Sequence, residues 1–260
     1  MSPTGQETTR PVEAGMFCWH EVLANDVEKV SGHYAELFGW SVLEYPLPDE
    51  TIRVFMRGDD VVAGCGAAPR DKASDAVRWR SFVAVDDPAA TTTRAGELGG
   101  RVLVPPTDLP MGTYAVIEAP GGSELGLFRG GDGRNAVGIG AVMHNELLAR
   151  SLAEASAYHR DLFAWHPVEH DMGSPYVVFH GGGVDGPMRG GAMAPPPDAK
   201  LERDMWLPYV QVEDCDATAD RAVARGGRSA APPMDIPTVG RIAVLLDPEF
   251  ATLAIWTPSA

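Results

Sequence analysis

The sequence predicts an α+β fold of four βαβββ units joined in two pairs, and three observations lead there. The first is an internal echo: Leu37-Phe38-Gly39-Trp40 returns as Leu162-Phe163-Ala164-Trp165, an offset of 125 positions. At the same offset Trp19 meets His144, Glu21 meets Glu146 and Leu23-Ala24 meets Leu148-Ala149, so the repeat covers a strand and the helix behind it. The second is a further echo, Pro105-Pro106-Thr107-Asp108-Leu109-Pro110 against Pro232-Pro233-Met234-Asp235-Ile236-Pro237, at an offset of 127. The third is the pattern between the echoes, where a stretch of helical spacing is followed by short pieces of strand-like alternation. Self-similarity of this kind marks duplicated supersecondary units, so function is to be sought between equivalent units.

Each element has a local reason. Residues 16–23 read as a strand and 26–38 as an amphipathic helix with Val27, Val30, Tyr34, Leu37 and Phe38 on one face. Asp26 suits its N-cap and Gly39 its end. Strands follow over 41–45, 53–57 and 61–65, the last two joined at Gly58-Asp59-Asp60. The second unit repeats the order with a strand over 80–85, a helix over 87–98 stopped by Gly99-Gly100, and strands over 101–104, 114–118 and 125–128. The third opens at 139 with its helix over 151–163 and strands at 168, 176–180 and 189–193. The fourth runs from 206 through a helix over 214–224 to strands at 229–231, 241–246 and 252–256. Gly181-Gly182-Gly183 and Gly190-Gly191 read as hairpin punctuation, and the two proline-rich echoes as stiff loops, either scaffolding or the mouth of a pocket.

The resulting organisation is a flexible tail over 1–13, a first domain over 14–129, a Gly-rich linker over 130–138 and a second domain over 139–260. A 45% hydrophobic content is enough to give both domains a core. With 36 acidic against 21 basic residues, the net charge of −15 repels phosphate backbones and anionic bilayers, which argues against nucleic acid and membrane partners. No apolar run approaches the roughly 18 residues of a membrane span, and the expectation is a soluble cytoplasmic protein, monomer or homodimer. Cys18, Cys65 and Cys215 lack CxxC spacing and read as buried reduced thiols.

Paired βαβββ units, the Phe38-Gly39-Trp40 helix end and the Asp247-Pro248 turn before the last strand resemble the vicinal oxygen chelate superfamily of glyoxalases, bleomycin-resistance proteins and extradiol dioxygenases. More narrowly, the chain resembles tandem glyoxalase-like proteins of actinobacteria, some labelled hydroxylases in antibiotic pathways. The resemblance covers about residues 14–257. It implies that each pair of units curls into a U-shaped mixed sheet whose cleft holds a metal by residues of the first and last strands. Carried over, the first-strand positions are Trp19, Arg80, His144 and Leu207, and the last-strand positions fall at 63–65, Gly126, 190–192 and Ala254. Only His144 is a ligand type. A divalent site needs three or four converging donors, so no cofactor is expected and a divalent metal is the less favoured alternative.

Small and aromatic replacements at those positions leave room for an apolar or aromatic ligand. By strand parity Trp19, Arg80 and Phe82 line the first cleft, and Leu207, Tyr209, Gln211 and Trp256 the second, although for Phe82 and Trp256 core is the preferred assignment. His144 and Glu146, two apart on one strand face, form the candidate acid/base pair, with Glu21 their counterpart in the first cleft. His20 and Asn145, of opposite parity, are expected under the helices. His159, His166, His170 and His180 match no compact metal motif. The functional expectation is metal-independent acid/base chemistry on a small organic molecule, an isomerase, lyase or hydroxylase-type step of secondary metabolism. Noncatalytic sequestration and a metal-dependent lyase or dioxygenase are the alternatives.

Overall fold

The computed structural model describes residues 8–47, 51–69, 77–131, 133–197, 199 and 201–259. The chain begins with β1 (Thr9–Pro11). The first half then runs β2 (Phe17–Ala24), α1 (Val27–Phe38), β3 (Ser41–Pro46), β4 (Thr51–Arg57), β5 (Asp60–Ala67), β6 (Arg78–Ala84), α2 (Pro88–Glu97), β7 (Arg101–Leu109), β8 (Gly112–Glu118) and β9 (Glu124–Gly130). After β10 (Arg134–Ala136), the second half runs β11 (Val142–Leu148), α3 (Leu152–Phe163), β12 (His166–Asp171), β13 (Pro175–His180), β14 (Met188–Met193), β15 (Met205–Gln211), α4 (Cys215–Ala224), β16 (Arg228–Ile236), β17 (Gly240–Leu246) and β18 (Thr252–Pro258). Each half forms one eight-stranded mixed sheet. The orders, β3-β4-β5-β2-β6-β9-β8-β7 and β12-β13-β14-β11-β15-β18-β17-β16, are the same order twice. This is the α+β architecture the echoes predict, with the first strands of paired units adjacent at the centre.

The helix ends follow from their residues. Asp26, Asp87, Ser151 and Asp214 each turn a side-chain oxygen onto a first-turn N–H. Gly39 closes α1 in the left-handed region at φ 70°, and Ala164 takes φ 54° at the equivalent place, where a Cβ makes that conformation less favourable.

Why the tetrapeptide is duplicated becomes visible in the packing. Trp40 donates its indole N–H to the Gly140 carbonyl at 2.9 Å, and Trp165 donates to the Gly15 carbonyl at 2.9 Å. Each repeat tryptophan therefore ties its own helix end to the chain entering the other half. The cores are exchanged in the same way. One buries Tyr34, Trp40, Phe55 and Trp79 with Val210, Leu245, Leu253 and Ile255; the other buries Phe17, Ile117 and Leu127 with Trp165, Phe179 and Trp206. Both clusters draw on both halves.

Four sequence expectations need correction. The proline-rich echoes are not loops: they lie within β7 and β16, the outermost strands, whose ladders slip between Val104 and Thr107 and between Ala231 and Met234. An edge strand with bulges accommodates residues that lack an N–H. The tail is not free from Thr9 to Pro11, because these residues pair with Arg134–Ala136 of the linker as an antiparallel ribbon; residues 1–7 lie outside the described residues. Gly190-Gly191 sits inside β14 rather than at a turn. His20 and Asn145 meet each other across the halves, Nε2 to Oδ1 at 3.1 Å, with the Ser81 hydroxyl donating to the same oxygen at 2.7 Å. Being equivalent positions, they mark where the two central strands approach.

Candidate functional site

In the first half, β2 and β6 run antiparallel with Trp19 opposite Phe82 and Glu21 opposite Arg80. β5 and β9 flank them in parallel, placing Gly64 beside Glu21 and Gly126 beside Phe82. A Cβ at Gly64 would meet the Trp19 ring at 2.7 Å, and one at Gly126 would collide with the Phe82 ring. The two aromatic rings thus lie over strand positions stripped of side chains. Beside them runs a charged ladder. The Arg80 guanidinium donates to Glu21 at 2.9 Å and to Glu124 at 3.3 Å, and Arg78 donates to Glu124 at 2.6 Å. Burial alone would raise the Glu124 pKa, but Arg78 and Arg80 outweigh it and hold it below the usual value. Above this floor opens a hollow of about 1000 Å³, walled by Leu43, Ile52, Val54, Met56, Tyr114 and Phe128. That volume lies at the upper end for small-molecule pockets.

The second half repeats the register with other residues. His144 stands opposite Tyr209, Glu146 opposite Leu207, Gly191 beside Glu146 and Ala254 beside Tyr209. The Tyr209 hydroxyl donates to Glu146 at 2.8 Å. Tyr176 supplies a second hydroxyl to that carboxylate and lies 3.3 Å from His144 Nε2. Gly191 makes this possible, since a Cβ there would occupy the place of the Tyr176 hydroxyl. Burial raises the Glu146 pKa despite the two hydroxyls, and pushes His144 down to about 4, so the imidazole is neutral at pH 7. Among the described residues no ion pair reaches Glu146 or His144. Leu207, Tyr209 and Ala254 instead form a buried cluster against which the partly buried Met205, Ile242, Val244 and Trp256 pack.

The predicted residues are therefore divided. Trp19, Glu21, Arg80 and Phe82 meet in the first cleft; His144, Glu146, Leu207 and Tyr209 meet in the second. Gln211 borders a separate, shallower hollow beside Gly39 at the end of α1. His144 also reaches the border of the large hollow, where β11 approaches the first half. Sequence reasoning missed Arg78, Glu124 and Tyr176. The signal for Tyr176 was present in Gly190-Gly191, because a strand glycine invites a bulky neighbour across its face.

A metal does not fit these residues. In the first cleft, Trp19, Gly64 and Gly126 offer no ligand atom and Arg80 brings a cation; in the second, His144 has Gly191, Leu207 and Ala254 as companions. Among the described residues no three His, Cys, Asp or Glu side chains converge as an ion requires. The three cysteines are free. Burial pushes Cys18 and Cys65 up to about 12 and Cys215 to about 11, which keeps them as thiols rather than nucleophilic thiolates. Among the described residues, no helix is long and apolar enough to cross a membrane.

Comparison with known proteins gives a consistent family. A family model described as Glyoxalase/Bleomycin resistance protein/Dioxygenase superfamily matches residues 18–127 and 139–253. A protein of Mycobacterium tuberculosis named "Putative glyoxylase CFP32" is 30% identical over 250 residues, covering 93% of this chain and 94% of its own. The "Anthracycline biosynthesis protein DnrV" of Streptomyces peucetius is 28% identical over 266 residues, covering 93% and 92%. Among solved structures, the Mn(II)-bound glyoxalase from Novosphingobium aromaticivorans superposes with a TM-score of 0.61 at 15% identity, over 96% of this chain and 83% of that one. The 2,3-dioxygenase LapB from Pseudomonas sp. KL28 gives 0.62 at 13%, over 96% and 94%. At these identities the structural likeness is one of fold.

Proposed function

The chain belongs to the Glyoxalase/Bleomycin resistance protein/Dioxygenase superfamily, and on that footing we propose that it takes a small, largely apolar or aromatic molecule into the first-half cleft and acts on it by acid/base chemistry without a metal ion. The observation that carries this reading is the hollow of about 1000 Å³ floored by Trp19 and Phe82, the two rings lying over glycine. Flat aromatic surface beside open volume suits a polycyclic ligand. The relatives named for anthracycline biosynthesis support a ligand of that size and planarity.

Glu21 is the base in this scheme. Its side chain keeps 22% of its exposure, so a bound molecule reaches it, while Arg80 fixes the carboxylate from below. Removing a proton from an activated C–H or a phenolic O–H of the ligand needs a carboxylate so placed, and the Arg80 charge stabilises the anion that forms. His144, neutral at pH 7, is the second proton-transfer group, entering from the second half with Glu146 and Tyr176 behind it. Sequestration without turnover is the second reading, favoured by the ion pair that already occupies Glu21.

The test is consumption of an anthracycline-type polyketide by the protein with and without chelator. The expected result is chelator-insensitive turnover that falls about 10²–10⁴-fold in Glu21→Gln. Tight stoichiometric binding without product would establish sequestration, and turnover abolished by chelator would overturn the acid/base reading. His144→Ala and Glu146→Gln with undiminished turnover would remove the second-half pair from the scheme.

A further inference from the structure

One border of the first-half hollow is built by residues from outside the first sheet. β1 carries Arg10 there on its ribbon with β10, and β14 of the second half brings Arg189; both side chains line the hollow. The Arg189 side chain is 8% exposed, and its carboxylate partner is Glu13 at 3.4 Å, itself 71% exposed. Arg189 Nε is buried without a partner. Arg10 has no ion pair among the described residues. Desolvation, and then the neighbouring Arg189 charge, lowers the Arg10 pKa.

Two guanidinium groups against one loosely held carboxylate are a local positive surplus in a chain whose net charge is −15. Elsewhere in the lining Arg80 faces Glu21, while Arg129 and Arg134 donate to the hydroxyls of Thr113 and Thr9. Like charges at the edge of an apolar cavity repel unless an anion stands between them. Guanidinium forks hold carboxylate and similar oxyanions by paired N–H bonds, which gives such a site geometric as well as electrostatic selectivity.

We propose that Arg10 and Arg189 form an anion subsite, and that the molecule bound in the first-half cleft carries a carboxylate or similar acidic group that docks there while its apolar body lies over Trp19 and Phe82. The inference rests on the cleft reading above and adds the chemistry of one end of the ligand. It also gives the β1–β10 ribbon a task, since Arg10 reaches the hollow only by that pairing.

Two fluorescent probes of one skeleton test it, 1-anilinonaphthalene-8-sulfonate and the uncharged N-phenyl-1-naphthylamine. The wild-type chain is expected to bind the sulfonate at least about tenfold more tightly, equivalent to about 1.4 kcal/mol. Arg10→Gln with Arg189→Gln together should erase that preference and leave the uncharged probe's affinity unchanged. Arg10→Gln alone, at an exposed position that the fold tolerates, should erase part of it. Glu13→Gln should raise sulfonate affinity by removing the competing carboxylate. A neutral probe that binds as tightly as the sulfonate, or a preference that survives the double variant, overturns the subsite alone. Failure of both probes to bind the wild-type chain overturns the cleft reading and the subsite with it.

Discussion

The first and second clefts are the same backbone carrying opposite solutions. Glu21 and Glu146 occupy equivalent places, each beside a strand glycine, yet Glu21 faces a guanidinium and Glu146 faces two phenols. The difference begins at the residue opposite, Arg80 in one half and Leu207 in the other. Against its burial, the Arg78 and Arg80 charges hold Glu124 below the usual value, whereas burial raises Glu146, where leucine stands in place of the cation. Duplication thus gave one scaffold with two electrostatic environments, and the hollow of about 1000 Å³ opens over the charged one.

The largest test of this contrast exchanges the opposing residue. Arg80→Met removes the cation shared by Glu21 and Glu124 while Arg78 stays on Glu124, and urea unfolding is expected to lose about 1.5–3 kcal/mol. Leu207→Met, the equivalent position, should lose less than about 1.5 kcal/mol. Equal losses would mean that the ladder is only surface decoration.

Volume separates the halves next. Val54 and Val178 are equivalent, opposite Gly64 and Gly191. Val54→Trp, at a buried position in the wall of the hollow, should weaken ligand binding by tenfold or more and cost about 1–3 kcal/mol through overpacking. Val178→Trp, at a less buried position outside the lining of the hollow, should cost less and leave ligand affinity intact. Titration calorimetry and thermal unfolding on the same two variants decide it.

The carboxylates should also oppose each other in pH dependence. Glu124 has a lowered folded pKa, so its contribution is present above the unfolded value near 4.5 and is lost as pH falls through the folded pKa. Glu146 has a raised folded pKa, so its contribution is greatest below that unfolded value and is lost as pH rises through the folded pKa. Glu124→Gln should flatten the acid side of a stability profile and Glu146→Gln the side above it. Identical profiles for the two variants would contradict the assigned environments. The smallest signal is local: by NMR the His144 ring should stay neutral from pH 8 to 5 and titrate at about 4. A midpoint near 6.5 would mean that water reaches it freely.

Much of the fold was legible because duplication repeats its own evidence. The strand and helix units, their caps and the cross-half equivalence of Trp19 with His144 and Glu21 with Glu146 follow from two aligned stretches. Parity also assigned both clefts their central residues. What parity cannot supply is register: Glu124 falls just outside the strand read over 125–128, so no pattern joined it to Arg80, and parity continued the cleft to Gln211, which borders the other hollow. Pro105-Pro106 and Pro232-Pro233 misled for a related reason, since whether a proline breaks a strand depends on whether that strand has a partner on both sides. Tyr176 was hidden because its contact is with the absence of a side chain.

The reciprocal tryptophan ties carry a consequence for the ancestry of the molecule. Trp40 grips the entry to the second half and Trp165 the entry to the first, and each hydrophobic interior is stocked from both. Neither copy can be discarded without stripping the survivor of half its interior. The second half is therefore retained as packing for the first, and the first for the second, whatever chemistry each cleft carries.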